Sequence, residues 1–226
     1  MKKLLLLHGA IGAESQFAAL KTYLPEFELY SFNFSGHGGK SFSNSFSIEG
    51  FADELKEYVI MNNLQGIDVF GYSMGGYVAL YLTTKHPNLI NSIFTLGTML
   101  NFDRIIIHNV TNKLDPDLII SKVPKFAEIL KKRHHPNEWK ELLFKTNIMM
   151  NNLSQNIPIS ENSFKSLENK IMFAIGDRDD TADVLSTINT FRIVRNSQLL
   201  IIPNCQHPIE KIDKERLSYE ISIFFK

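Results

Sequence analysis

The sequence holds one cysteine, Cys205, so no disulfide can form within the chain. That absence points to a reducing compartment, and a cytoplasmic protein is expected. Charge of one sign is also lacking: 24 basic and 24 acidic residues balance. Neither nucleic acid nor an anionic membrane is therefore implied as a partner. Long hydrophobic runs are missing too. The opening Met1-Lys2-Lys3-Leu4-Leu5-Leu6-Leu7 stops at His8 after four leucines, short of the roughly 7–15 apolar residues of a secretory signal. No stretch approaches the ~20 residues needed to span a bilayer. What remains is a chain of 226 residues, 44% hydrophobic, long enough to bury a sizeable core in one domain with an insertion.

Glycine is absent from the whole stretch between Gly97 and Gly176, although the chain has 12. Prolines at 116, 124, 136 and 158 punctuate that stretch as helix breaks or first-turn positions. Apolar residues recur there at helical spacing, as in Phe126, Ile129 and Leu130 or Trp139, Leu142 and Leu143. The spacing predicts a mainly helical cap over Thr98–Ser166, inserted into a core made of 1–97 and 167–226. An ordinary crossover helix would be much shorter.

Outside the cap, short aliphatic runs alternate with helix-like segments, the pattern of βαβ units on a parallel sheet. Strands are expected at Lys3–Leu7, Glu28–Phe32, Ile67–Phe70, Ile90–Leu96, Ile171–Ile175 and Leu199–Ile202, nearly uninterrupted as strands buried on both faces should be. Helices are expected at Glu14–Leu24, Ser47–Asn62, Met74–Lys85, Asp183–Val194 and Lys214–Phe225.

Between one such strand and helix lies Gly71-Tyr72-Ser73-Met74-Gly75. A serine on so tight a strand-to-helix turn has a strained backbone and an exposed hydroxyl, as a nucleophile requires. A Cβ at Gly71 or Gly75 would collide with the neighbouring strand or helix. The helix N-terminus favours a developing anion, and the Met74 N–H is one expected oxyanion donor. The second is Ala10 N–H, in the turn Leu7-His8-Gly9-Ala10-Ile11-Gly12 after the first strand, with Ile11 as the fallback.

Serine needs a base, and the base an orienting acid. Of seven histidines, His207 follows the last strand and is the expected base. His37 reads as a loop support, and His108, His134 and His135 as solvated residues of the cap. For the acid, Asp177, Asp179, Asp180 and Asp183 compete after the fifth strand, with Asp103 a rarer alternative after the fourth. Asp179 is best placed, since Asp177 sits within the turn and Asp180 resembles a helix N-cap.

His8-Gly9, Gly36-His37-Gly38 with Ser41, the pentapeptide around Ser73, Gly176-x-x-Asp179 and His207 together resemble the α/β-hydrolase superfamily, in family order and across nearly the whole chain. The sequence looks most like small lidded bacterial members, which include carboxylesterases and hydrolases of carbon–carbon bonds. The resemblance implies an α/β fold: a mostly parallel sheet of about six strands flanked by helices, with the insertion serving as a lid over the nucleophile. Three departures stand out. The family's initial hairpin is missing, Asn33 replaces a common Asp, and Cys205-Gln206 precedes His207 where glycine is usual.

The expected function is hydrolysis of a small carboxylic ester or thioester through Ser73, His207 and Asp179. This chemistry needs no metal or organic cofactor, and the protein should act on a small molecule as a monomer or homodimer. Cleavage or elimination of a carbon–carbon bond in a small acidic metabolite is the alternative, favoured if Arg104, Lys122 or Arg133 faces Ser73. A lid lined by Phe102, Phe126, Trp139 or Phe144 favours plain acyl esters. A ligand-binding protein with a vestigial triad is a third reading.

Overall fold

The structure, a computed structural model, describes residues 1–226. Its sheet contains β1 (Lys2–Leu7), β2 (Phe27–Ser31), β3 (Ile67–Tyr72), β4 (Ile90–Leu96), β5 (Lys170–Gly176) and β6 (Ser197–Ile202). They lie in the order β2-β1-β3-β4-β5-β6, with every neighbouring pair parallel. The helices are α1 (Ala18–Lys21), α2 (Ile48–Met61), α3 (Met74–Lys85), α4 (Arg104–Asn112), α5 (Pro116–Lys122), α6 (Pro124–His134), α7 (Trp139–Leu153), α8 (Glu161–Lys165), α9 (Val184–Ile193) and α10 (Lys214–Phe224). None is long and apolar enough to cross a membrane.

The leucines of β1 show how the sheet builds two cores. Leu5 and Leu7 join one buried cluster with Phe51 and Leu55 of α2 and Val78 and Leu82 of α3. Leu4 and Leu6 point the other way, into a cluster with Leu217, Ile221 and Phe224 of α10. Alternate side chains leave opposite faces of a strand, so an unbroken leucine run serves both cores. Each buried leucine stabilises the fold by roughly 1.5–3 kcal/mol.

Burial on both faces holds for β3, whose six residues are all buried, but not at the sheet margin. β6 keeps one fully buried residue, Ile202, and Ile201 is 39% exposed, because an edge strand has a neighbour on one side only. The helix expected over Glu14–Leu24 is instead a 3-10 turn at Glu14–Phe17 followed by the four-residue α1. Pro25 disfavours helical backbone at Leu24 and cuts this segment short.

Strand order reverses between β1 and β3: the chain leaves β1 for β2 on one side, then returns through α2 to β3 on the other. Ligand sites in open α/β sheets lie beyond the strand ends at such a switch point. Leu7 pairs with Gly71 there, which brings the loop after β1 beside the loop after β3. Between β4 and β5 lie α4 to α8. Ile119, Ala127, Leu130, Trp139 and Leu143 of these helices form a small core of their own.

Candidate active site

Ser73 sits between β3 and α3 with φ 52° and ψ −118°, outside the regions a side chain occupies comfortably. The turn is held from several directions. Ser73 N–H donates to Leu96 O of β4 at 2.8 Å, and Ser73 O accepts from Gly76 N at 3.1 Å and from Thr98 Oγ1 at 3.0 Å. Close approach demands glycine here: a Cβ on Gly75 would lie 2.5 Å from Leu7 O, and one on Gly71 would lie 2.5 Å from Gly76 Cα. Gly9 is equally confined, since a Cβ there would come within 3.1 Å of Ser73 Cβ.

After β6, His207 Nδ1 meets the Asp179 carboxylate at 2.8 Å and 3.0 Å. A carboxylate oxygen only accepts, so Nδ1 carries a proton, which leaves Nε2 as the nitrogen with the lone pair in the neutral ring. The side chains of His207 and Asp179 are 14% and 2% exposed, so water competes little for this bond. Asp179 Oδ1 also accepts from Thr181 N at 2.9 Å and Ala182 N at 2.8 Å, which fixes the carboxylate's orientation.

The competing acids are engaged elsewhere. Asp177 accepts from Cys205 N. Asp180 is not the N-cap of α9; it pairs with Lys113 at 2.8 Å, which holds its carboxyl below the usual range. The cap is Asp183, accepting from Leu185 and Ser186 N–H. Asp103 caps α4 through Ile105 N–H.

Ser73, His207, Ala10 and Met74 line one cavity of about 250 Å³. Its walls are mainly apolar, including Met99 and Phe102 after β4, Val110 of α4, and Met149, Met150 and Leu153 of α7. Phe126 also lines it, but Phe144 does not and is 66% exposed, while Trp139 is buried in the small core of the inserted helices. Arg133 reaches the cavity, while Arg104 and Lys122 do not; Lys113, which the sequence did not single out, also lines it. Both cations that reach it are paired, Lys113 with Asp180 and Arg133 with Glu210 at 2.9 Å.

Ala10 lies in a turn closed by Gly12 N–H donating to Gly9 O at 3.1 Å, and no carbonyl of the fold accepts the Ala10 N–H. Met74 is the first residue of α3, where an N–H has no partner within the helix. Both positions therefore leave a backbone N–H unpaired, and both residues line the cavity with Ser73.

A model of the alpha/beta hydrolase fold matches residues 2–158. The chain belongs to the α/β-hydrolase family. Among curated proteins, this α/β-hydrolase is 33% identical over 94 residues to a pimeloyl-[acyl-carrier protein] methyl ester esterase of Neisseria meningitidis, covering 41% of this chain and 35% of that protein. It is 26% identical over 95 residues to ethanol acetyltransferase 1 of Cyberlindnera jadinii, covering 39% of this chain and 27% of the relative. The matched part thus spans about a third of these relatives' length. An esterase from Exiguobacterium antarcticum superposes with a TM-score of 0.80 at 12% identity, covering the whole of this α/β-hydrolase and 92% of that chain.

Several residues around the site escaped the sequence reading. Gly97, with φ +60°, ends β4 where a Cβ would lie 3.0 Å from Asp179 Oδ2 and 3.2 Å from His207 Nδ1. Tyr72 donates its hydroxyl to His207 O at 3.0 Å, and burial pushes its phenol well up, so it stays a donor. His134, expected in solvent, is fully buried. Ala127, Leu130 and His134 form the buried face of α6, a spacing of three and four that marks a core stripe.

Proposed function

We propose that this α/β-hydrolase cleaves a small carboxylic ester or thioester through an acyl-enzyme on Ser73. One observation carries the reading: a serine on a strained strand-to-helix turn shares an apolar cavity with a histidine whose Nδ1 is held by a buried carboxylate. In the proposed cycle, Ser73 Oγ attacks the carbonyl carbon while His207 Nε2 takes its proton. Asp179 keeps the imidazole in the required tautomer and stabilises the imidazolium. Ala10 and Met74 N–H groups hold the oxyanion, each removing roughly 3–4 kcal/mol from the barrier. His207 then protonates the departing alcohol or thiol, and water, activated by the same nitrogen, releases the acid.

On this reading residues 98–166 are a cap over a core of 1–97 and 167–226, because helices of that segment supply much of the cavity wall. The apolar lining suits an acyl chain. The pairing of both lining cations favours an ester over an acidic metabolite. Acyl chemistry is also what the names of the relatives describe, a methyl ester esterase and an acetyltransferase.

The purified protein should release p-nitrophenol from short acyl esters and react with a fluorophosphonate probe. Ser73→Ala should abolish both with its melting temperature preserved. A variant that still hydrolyses at the wild-type rate would refute the assignment of Ser73.

A further inference from the structure

The turn that carries Ala10 contains a conformation it cannot hold cheaply. Ile11 has φ +52°, at a turn position normally given to glycine or asparagine; for a β-branched residue this is a steric outlier. Such a residue persists only where its surroundings over-determine it. Here the surroundings are the inserted helices. The Ile11 side chain packs against their small core of Ile119, Ala127, Leu130, Trp139 and Leu143. Its carbonyl accepts from His134 Nε2 at 3.0 Å and from Arg133 Nη1 at 3.3 Å.

His134 has a second bond that settles its tautomer. Gly38 N–H donates to His134 Nδ1 at 3.1 Å, and a backbone amide only donates. Nε2 must therefore carry the proton that goes to Ile11 O. The same end of α6 is anchored to other loops of the core. Asn137 donates to Gly36 O and Lys40 O, and Arg133 reaches Glu210, three residues beyond His207.

We propose that His134 is a positioning residue for the oxyanion turn: by holding the Ile11 carbonyl, it fixes the direction of the neighbouring Ala10 N–H. This rests on the reading of Ala10 as an oxyanion donor. It couples the seating of the cap to the assembly of the catalytic site, because the cap grips Ile11 by side chain and carbonyl together.

Two substitutions separate positioning from mere support. His134→Gln places an amide N–H near the former Nε2 and keeps the bond to Ile11 O. His134→Asn places an acceptor near the former Nδ1, keeps the bond from Gly38 and drops the one to Ile11. Each loses one hydrogen bond, so a supporting role alone predicts equal behaviour. With positioning, the Asn variant loses about 10- to 100-fold in kcat at nearly unchanged KM, while the Gln variant stays within about threefold of wild type. Hydrogen exchange supplies an arm independent of turnover: the Gly12 amide, which closes the turn, should exchange faster in the Asn variant only.

Equal kcat and equal Gly12 exchange in the Asn and Gln variants would overturn the proposal. A wild-type protein that neither turns over esters nor labels at Ser73 would instead count against the hydrolase reading, and the exchange comparison would still decide the link from His134 to the turn.

Discussion

Lowering the pH from 7.5 to 5.0 should remove about 4 kcal/mol of folding stability, through two buried histidines that the fold keeps neutral. Burial depresses His8 to about 3 and His134 to about 4, against about 6.5 in the unfolded chain. Both rings also use their unprotonated nitrogen. His8 Nε2 accepts from Phe34 N at 3.2 Å, and His134 Nδ1 accepts from Gly38 N. Between pH 6.5 and the folded values, the unfolded chain binds protons that the native state refuses. Stability is therefore complete above pH 6.5 and falls as the pH drops. At pH 5.0 the unfolded side chains lie 1.5 units below their ordinary value, worth about 2 kcal/mol for each histidine at 1.36 kcal/mol per unit. His37, also pushed down by burial, acts in the same direction. Carboxylates such as Asp180, held low by Lys113, give up their contribution only at still lower pH. Urea unfolding followed by far-UV circular dichroism at the two pH values measures the loss. Fluorescence would be the wrong probe, because the lone Trp139 sits in the core of the inserted helices. His134→Gln cannot titrate and should lose about 2 kcal/mol less than wild type over the same interval. Equal losses in wild type and variant, or a wild-type loss below about 1 kcal/mol, would refute the argument.

Other perturbations test different parts of the molecule. Gly75→Ala should destabilise by about 3 kcal/mol, since its Cβ would meet Leu7 O at 2.5 Å and His8 O at 2.7 Å. Gly66→Ala, with open space around it and φ +77°, should cost about 1 kcal/mol; thermal melts that rank the two the other way would contradict the close-packing account. Asp179→Asn keeps an acceptor for Thr181 and Ala182 N–H but favours the wrong tautomer of His207. Its kcat on p-nitrophenyl esters should fall about 10⁴-fold with the melting temperature little changed, and a loss under about tenfold would exclude the orienting role. Met149→Trp fills part of the cavity wall. It should lower kcat/KM at least tenfold for a hexanoate ester and far less for an acetate, a contrast read directly from a chain-length series.

Much of the scaffold was legible in the chain because its signals are local. Strands β1, β3, β4 and β5 announce themselves as aliphatic runs, and α3 begins at the residue after Ser73, where the glycine pattern places it. The bringing together of Asp179 and His207 was also foreseeable, since β5 and β6 are adjacent and both residues follow a strand end. Asp180 shows the limit of such local reasoning: its spacing suited a helix cap, yet a lysine 67 residues away claims it.

The order of elements, the two-faced leucine strand and the glycines that let β1, β3 and α3 approach are all encoded locally in the chain. Those depend on backbone sterics and on side chains a few positions apart. How the helices between β4 and β5 meet the core depends instead on contacts made across the folded chain. The bonds from His134 to Gly38 and Ile11 span 96 and 123 positions, and Gly97 reveals its role only when β4 lies beside the Asp179–His207 pair. No short-range pattern encodes a contact between distant loops, because its energy exists only once the sheet has brought them together.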